Sequence, residues 1–176
     1  MPKQTILKLR NYFKGYQSST KRKTTTYQKV AKIGILIQAK EIKNSSAINT
    51  FVNELKSEGK SITVLCFNEK DSNLYVDFNM EQISLKDISY TGKFINPIIE
   101  DFINQSFDYL ICLSLSPSPV LVTIIVASKA KCKAGLQTPS NESLFDLMVH
   151  TSKEDFKPEE IGEQIIALAK KIRTND

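Results

Sequence analysis

Four groups of residues in this 176-residue chain could do chemistry, and each follows an apolar run with the length of a strand. Gln38 and Lys40 follow Ile33–Ile37. Asn68 and Glu69 follow Ile62–Phe67. Ser114, Ser116 and Ser118 follow Tyr109–Leu113, and His150 and Thr151 follow Leu144–Val149. Open α/β sheets bind ligands beyond the carboxyl ends of their strands. Gln38, Lys40, Ser114, Ser116, Ser118 and His150 are therefore the candidate ligand-binding residues. Ser116-Pro117-Ser118 leads into a helix start, where free N–H groups and the helix dipole suit an anion. Equally, Ser118 is a good N-cap and has that job to do in any case. His150 is the only histidine. A hydrolase triad would set it beside a serine and a carboxylate, with Ser116 as nucleophile, but no nucleophile-elbow glycine pattern surrounds that serine. No strand is followed by Gly-x-Gly or Gly-Lys-Ser/Thr, so a nucleotide cradle is not expected. Cys66, Cys112 and Cys132 lie in apolar runs without paired spacing. That pattern fits reduced, buried thiols in a cytoplasmic protein and no metal site. No catalytic residue, cofactor or metal is expected.

The elements that position these residues can be read from periodicity and punctuation. Tyr109–Ser128 holds no charge over twenty residues and is long enough to cross a bilayer as one helix. Its centre, Ser114-Leu115-Ser116-Pro117-Ser118-Pro119, forbids that. Proline costs a helix interior roughly 3 kcal/mol and pushes the preceding residue out of helical angles. The stretch therefore reads as a strand, a loop and a helix opened by Ser118 and Pro119. Cys132–Gly135 comes next as a second strand, which completes a parallel βαβ unit.

Elsewhere, Ile33–Ile37 and Ile62–Phe67 read as core strands. Asn44 or Ser45 caps a helix to about Glu58, with Ile48, Phe51, Val52 and Leu55 inward. Asn96-Pro97 opens another, and Pro158–Arg173 closes the chain with Ile161, Ile165, Leu168, Ala169 and Ile172 as its stripe. Leu74–Phe78 alternates like an edge strand, and Ser84–Asp87 suits a single helical turn. The expectation is α/β: a single Rossmann-like domain over residues 30–176. Its mostly parallel sheet should have about five strands and helices on both faces.

Ahead of it, residues 1–29 form a basic amphipathic helix and a tether. Ile6, Leu9 and Phe13 share one face of Thr5–Tyr16, and Ser18–Tyr27 is polar. The charge divides sharply. Residues 1–32 carry nine Lys/Arg and no acid, whereas residues 44–176 carry 13 Lys/Arg against 18 Asp/Glu. Lys8, Arg10, Lys14, Lys21, Arg22 and Lys23, interleaved with Tyr12, Phe13, Tyr16 and Tyr27, are the candidate polyanion-binding residues. The same segment could lie on an anionic membrane surface, or dock on its own domain with its lysines solvated. The opening residues lack the long apolar core and cleavage site of a signal peptide.

The order VAKIGILIQ, helix, SITVLCF, then FDYLICLSLSPSPVLVTIIVASKAKCKAGL resembles the N-terminal, Rossmann-like half of bacterial lipopolysaccharide heptosyltransferases over about residues 33–136. It departs where that family's chemistry lies. The loop after the first strand carries a catalytic aspartate there, but here it reads Gln38-Ala39-Lys40-Glu41-Ile42, with Glu41 the sole carboxylate. The nucleotide-sugar domain has no counterpart in these residues. A closer resemblance, in the basic N-terminal helix, Ile33-Gly34-Ile35-Leu36, the block Asn96–Ser114, Ser128–Lys131 and Phe145–Met148, is to an uncharacterised family of small bacterial proteins of unknown function. It implies a Rossmann-like fold and supplies no activity.

Two functions are open on this reading. One is a non-enzymatic interaction protein whose arm meets RNA, the ribosome or DNA. The other is a minimal or degenerate transferase-like domain that holds a small anionic ligand at the carboxyl edge of the sheet. No transmembrane segment is expected.

Overall fold

A computed structural model describes residues 3–7, 25–70, 76, 78–153 and 156–172. Six strands pair into one sheet, all in parallel: β1 (Lys32–Gln38), β2 (Ser61–Phe67), β3 (Glu81–Ile83), β4 (Tyr109–Cys112), β5 (Cys132–Leu136) and β6 (Leu147–Val149). Their order is β3-β2-β1-β4-β5-β6. This is the doubly wound order, in which the chain steps outward from β1 to β3, then crosses back to β4 and steps the other way. Three helices lie in crossovers, α1 (Ser45–Ser57) between β1 and β2, α2 (Pro97–Asn104) between β3 and β4, and α3 (Pro119–Ala127) between β4 and β5, and α4 (Pro158–Lys171) follows β6.

Strand alternation divides the core into two layers. Ile33, Ile35, Ile37, Val64, Cys66, Tyr109, Ile111, Cys132 and Ala134 face α1 and α4. Leu36, Leu65, Phe67, Leu110 and Cys112 face α2 and α3. With both faces covered, the central strands are apolar throughout, as buried parallel strands must be. Gly34 and Gly162 are close-packing positions. A Cβ on Gly34 would stand 2.8 Å from the Phe107 ring, and one on Gly162 would stand 2.5 Å from the Phe51 ring.

The uncharged stretch folds as expected. β4 ends at Cys112, the Leu121 N–H donates to Ser118 Oγ at 3.4 Å, and Pro119 is the first residue of α3. Among the described residues no helix is long and apolar enough to cross a membrane. The expected mostly parallel sheet of about five strands is present, with six strands in all and every pair parallel. The extra strand is Glu81–Ile83, which is too short to show a period and contributes one buried residue, Ile83. The last strand covers only Leu147–Val149, because Leu144 and Phe145 are buried beneath the sheet ahead of it. On α4, Leu168 points outward at 37% exposure, while Gly162 and Ile166 join the buried stripe. Most of the expected Leu74–Phe78 edge strand lies outside the described residues.

Residues 3–7 are helical, and Leu7 is fully buried in the α2–α3 layer. Lys3 Nζ donates to the Leu85 carbonyl at 3.0 Å and sits 4.8 Å from the Tyr90 ring centre. The rest of the expected basic helix, with Lys8, Arg10 and Lys14, and the part of the tether with Lys21, Arg22 and Lys23 lie outside the described residues.

Candidate functional site

The strand order makes β1 and β4 neighbours, and the chain leaves them in opposite directions. Their carboxyl ends therefore flank the topological switch point, where open α/β sheets form a ligand crevice. Gln38 is the last residue of β1, and Ser114 lies two positions beyond β4. The structure brings Gln38, Ser114, Ser116 and Ser118 together there, with Glu41 added.

Gln38 is buried and its amide is saturated. Nε2 has Ser114 Oγ at 2.7 Å, the Ser116 carbonyl at 2.9 Å and Glu41 Oε1 at 3.1 Å within reach. Its Oε1 accepts the Ser118 N–H at 3.2 Å. Glu41 ends a single 3-10 turn, Ala39–Glu41, that folds back over the crevice. Its carboxylate accepts the N–H groups of Leu115 at 3.3 Å and Ser116 at 3.4 Å. Burial pushes the Glu41 carboxyl above its ordinary value, and the bonds from Ser114, Ser116 and Leu115 recover only part of that cost. The N–H groups of Leu115 and Ser116 in the loop before α3, and of Ser118 at its cap, are thus bonded to the chain's own Glu41 and Gln38, and the Leu121 N–H to Ser118 Oγ. Glu41 was legible in the sequence only as the lone carboxylate of its loop. Its role depends on a turn that carries it back to the loop after β4, more than seventy residues away.

Lys40 lies apart from this cluster. With Gln38, Ala39, Phe67, Asn68, Glu69 and Lys70 it lines a cleft of about 220 Å³ over the carboxyl ends of β1 and β2. Gln4 donates to Glu69 at the cleft's outer side. His150 is exposed at the end of β6, and β5 stands between β6 and β4. The fold therefore separates His150 from Ser116, and no Ser-His pair is assembled. Among the described residues no group of three or more His, Cys, Asp or Glu side chains could hold a metal ion.

The opposite, amino-terminal edge holds paired groups. Asp108, just before β4, accepts the N–H groups of Ala31 (2.8 Å) and Lys32 (3.0 Å) and pairs with Lys131 Nζ at 2.8 Å. Burial alone would raise its carboxyl. Lys131 and the two N–H groups outweigh burial and hold it below the ordinary range. Asp146, just before β6, accepts the Lys133 N–H at 2.8 Å. The two Phe-Asp pairs are therefore matching strand starts and not cooperating acids.

A doubly wound α/β protein, with no glycine cradle and with its switch-point crevice filled by its own side chains, is the class that this fold and site define. Within that class the chain belongs to a family of unknown function, DUF6913, whose model matches residues 5–166. No curated protein matches the chain. Neither finding supports the resemblance to heptosyltransferases.

Proposed function

We propose that the protein is a non-enzymatic binding protein whose basic N-terminal segment contacts a polyanion, namely RNA, the ribosome or DNA. The observation that carries this reading is the charge division: nine Lys/Arg and no acid in residues 1–32, on a body of opposite net sign. Phosphate contacts of this kind bind by counterion release and need no catalytic pocket. The closed state of the switch point supports the same reading. The N–H groups of Leu115, Ser116 and Ser118 are bonded to Glu41 and Gln38, which disfavours chemistry where this fold class performs it.

A gel shift of the intact chain with RNA and with DNA at two salt concentrations tests the proposal. Binding at low salt should weaken on the order of a thousandfold over a fourfold rise in salt, as expected for six or so phosphate contacts. No shift at low salt would reject the reading.

One observation favours the second reading, a small anionic ligand at the carboxyl edge. The cleft over β1 and β2 has Lys40 and Lys70 on its walls. A thermal-shift panel of phosphates, nucleotides and sugar phosphates tests it. Stabilisation that is lost in Lys40→Gln would favour it, and silence across the panel would count against it.

A further inference from the structure

The arm accounts for only part of the positive charge that faces one way. In a parallel βαβ sheet, the amino ends of the strands and the carboxyl ends of the crossover helices meet at the same edge. Here Lys32 begins β1, and Lys60 and Lys131 immediately precede β2 and β5. Lys129 lies just past α3, and Lys170 and Lys171 end α4, where cations suit the helix dipole. Two acids of this edge are already paired: Glu58 with Lys170 at 2.7 Å, and Asp108 with Lys131 at 2.8 Å. Glu54, Asp101 and Asp146 remain in the balance against the lysines. The opposite, carboxyl edge carries Glu41, Glu69, Glu159 and Glu160 beside its own Lys40, Lys43 and Lys70.

The arm is rooted on this same edge. Tyr109 Oη donates to the Thr25 carbonyl at 2.7 Å. The buried Tyr27 ring lies 4.8 Å from Lys60 Nζ and 5.2 Å from Lys170 Nζ, and its hydroxyl donates to Glu58 at 2.6 Å. Lys60 Nζ also donates to the Val30 carbonyl at 2.6 Å. The residues directly after Lys21-Arg22-Lys23 are therefore pinned to the amino edge, opposite the edge where ligands of this fold class bind.

We infer that the polyanion footprint of the arm continues across the amino-terminal edge of the sheet, where Lys32, Lys129, Lys131 and Lys171 meet a nucleic-acid phosphate backbone. The inference rests on the proposed function and adds a surface to it. From β2 to β5 the edge spans three strand spacings, about 14 Å, which matches about four phosphates of one strand at ~3.4 Å each. The contacts read phosphate and not base, so RNA and DNA of one sequence should bind with similar dependence on these lysines.

The test uses two full-length triple variants that remove the same charge. One is Lys32→Gln, Lys129→Gln and Lys171→Gln at the amino edge. The other is Lys40→Gln, Lys43→Gln and Lys70→Gln at the carboxyl edge. All six side chains are exposed, and circular dichroism checks that both variants fold. The single variant Lys129→Glu stands in if the first triple melts early. Fluorescence anisotropy with a single-stranded RNA and the matching DNA should show the amino-edge triple at least tenfold weaker at low salt. Its salt slope should be smaller by about two, from three contacts at ~0.7 each. The carboxyl-edge triple should stay within twofold of wild type. Equal weakening by both triples would mean that only net charge matters, and would overturn the inference. So would an unchanged amino-edge triple beside a wild type that binds, in which case the arm alone carries the function. A wild type that binds neither nucleic acid, including one that binds phosphatidylserine vesicles instead, overturns both the inference and the proposed function.

Discussion

Asp108 and Lys131, at the starts of adjacent strands β4 and β5, are joined at 2.8 Å across the amino edge of the sheet. The same carboxylate also holds the Ala31 and Lys32 N–H groups. One side chain thus fixes where three strands begin, and it does so beneath the root of the basic arm.

Asp108→Ala should therefore cost about 2 kcal/mol at neutral pH, since it strands two backbone donors and removes a charged acceptor. The folded state holds the Asp108 carboxyl below its ordinary value. Its contribution is complete above the ordinary carboxylate range and is lost as pH falls through the depressed folded value. Urea melts from pH 7 down to pH 3 should show wild type and variant converging in stability at the acid end. A constant gap at every pH would contradict the assignment.

Glu41 should behave in the opposite sense. Burial raises its carboxyl in the folded chain, so ionising it costs the fold. That cost is absent below the ordinary glutamate range and grows as pH rises through the raised folded value. Glu41→Gln removes the charge and keeps one of the two acceptor oxygens, since the Leu115 N–H uses Oε2 and the Ser116 N–H uses Oε1. Its melting temperature should lose this part of the pH dependence. Glu41→Ala leaves the two N–H groups without their acceptor and should melt lower than Glu41→Gln. A Gln variant with the same pH dependence as wild type would contradict the assignment of that dependence to Glu41.

Gly162→Ala sets two effects against each other. Alanine gains roughly 1 kcal/mol of helix propensity over glycine. The added Cβ would sit 2.5 Å from the Phe51 ring, with Leu113 at 3.0 Å. Overpacking of a filled core costs about 1–3 kcal/mol, so the variant should be destabilised, and Phe51→Leu in the same chain should relieve part of the loss. Chemical denaturation of the single and double variants measures both terms. A more stable Gly162→Ala would show that α1 and α4 are less tightly apposed.

The thiols should be inert in the native state. Cys66, Cys112 and Cys132 are buried and free, and burial pushes the Cys66 and Cys112 thiols up to about 12. A disulfide reagent at pH 8 should label no cysteine until denaturant is added, then all three. Rapid native labelling would contradict the burial of these strands.

The central unit was legible because its signals are local. Pro117 and Pro119 break the uncharged stretch, Ser118 caps α3, and Lys129 to Lys131 mark the helix end. β3 was not legible, since three residues with one inward side chain carry no measurable period, and only β2 alongside gives them strand geometry. On α4, Gly162 and Ile166 lie four residues apart on the buried side with Ile161, Ile165 and Ala169, and Leu168 falls outside it. The candidate site divides in the same way. Each of Gln38, Ser114 and Ser118 could be placed at a strand or helix end from sequence. Their union depends on β1 and β4 being neighbours across a separation of 76 residues, and no spacing along the chain encodes that. His150 shared their kind of strand end and was set apart by the position of β6 alone.

The central claim is that the basic arm is a polyanion-binding element. Deleting it would also remove Leu7 and Tyr27 from the core, so the direct test keeps the chain whole and changes Lys8, Arg10, Lys14, Lys21, Arg22 and Lys23 to glutamine. Anisotropy with single-stranded RNA at low salt, for wild type and this variant, is the decisive measurement. The account predicts tight, salt-sensitive binding by wild type and a loss of at least a hundredfold in the variant. Equal binding by the two chains, or none by wild type, would contradict it.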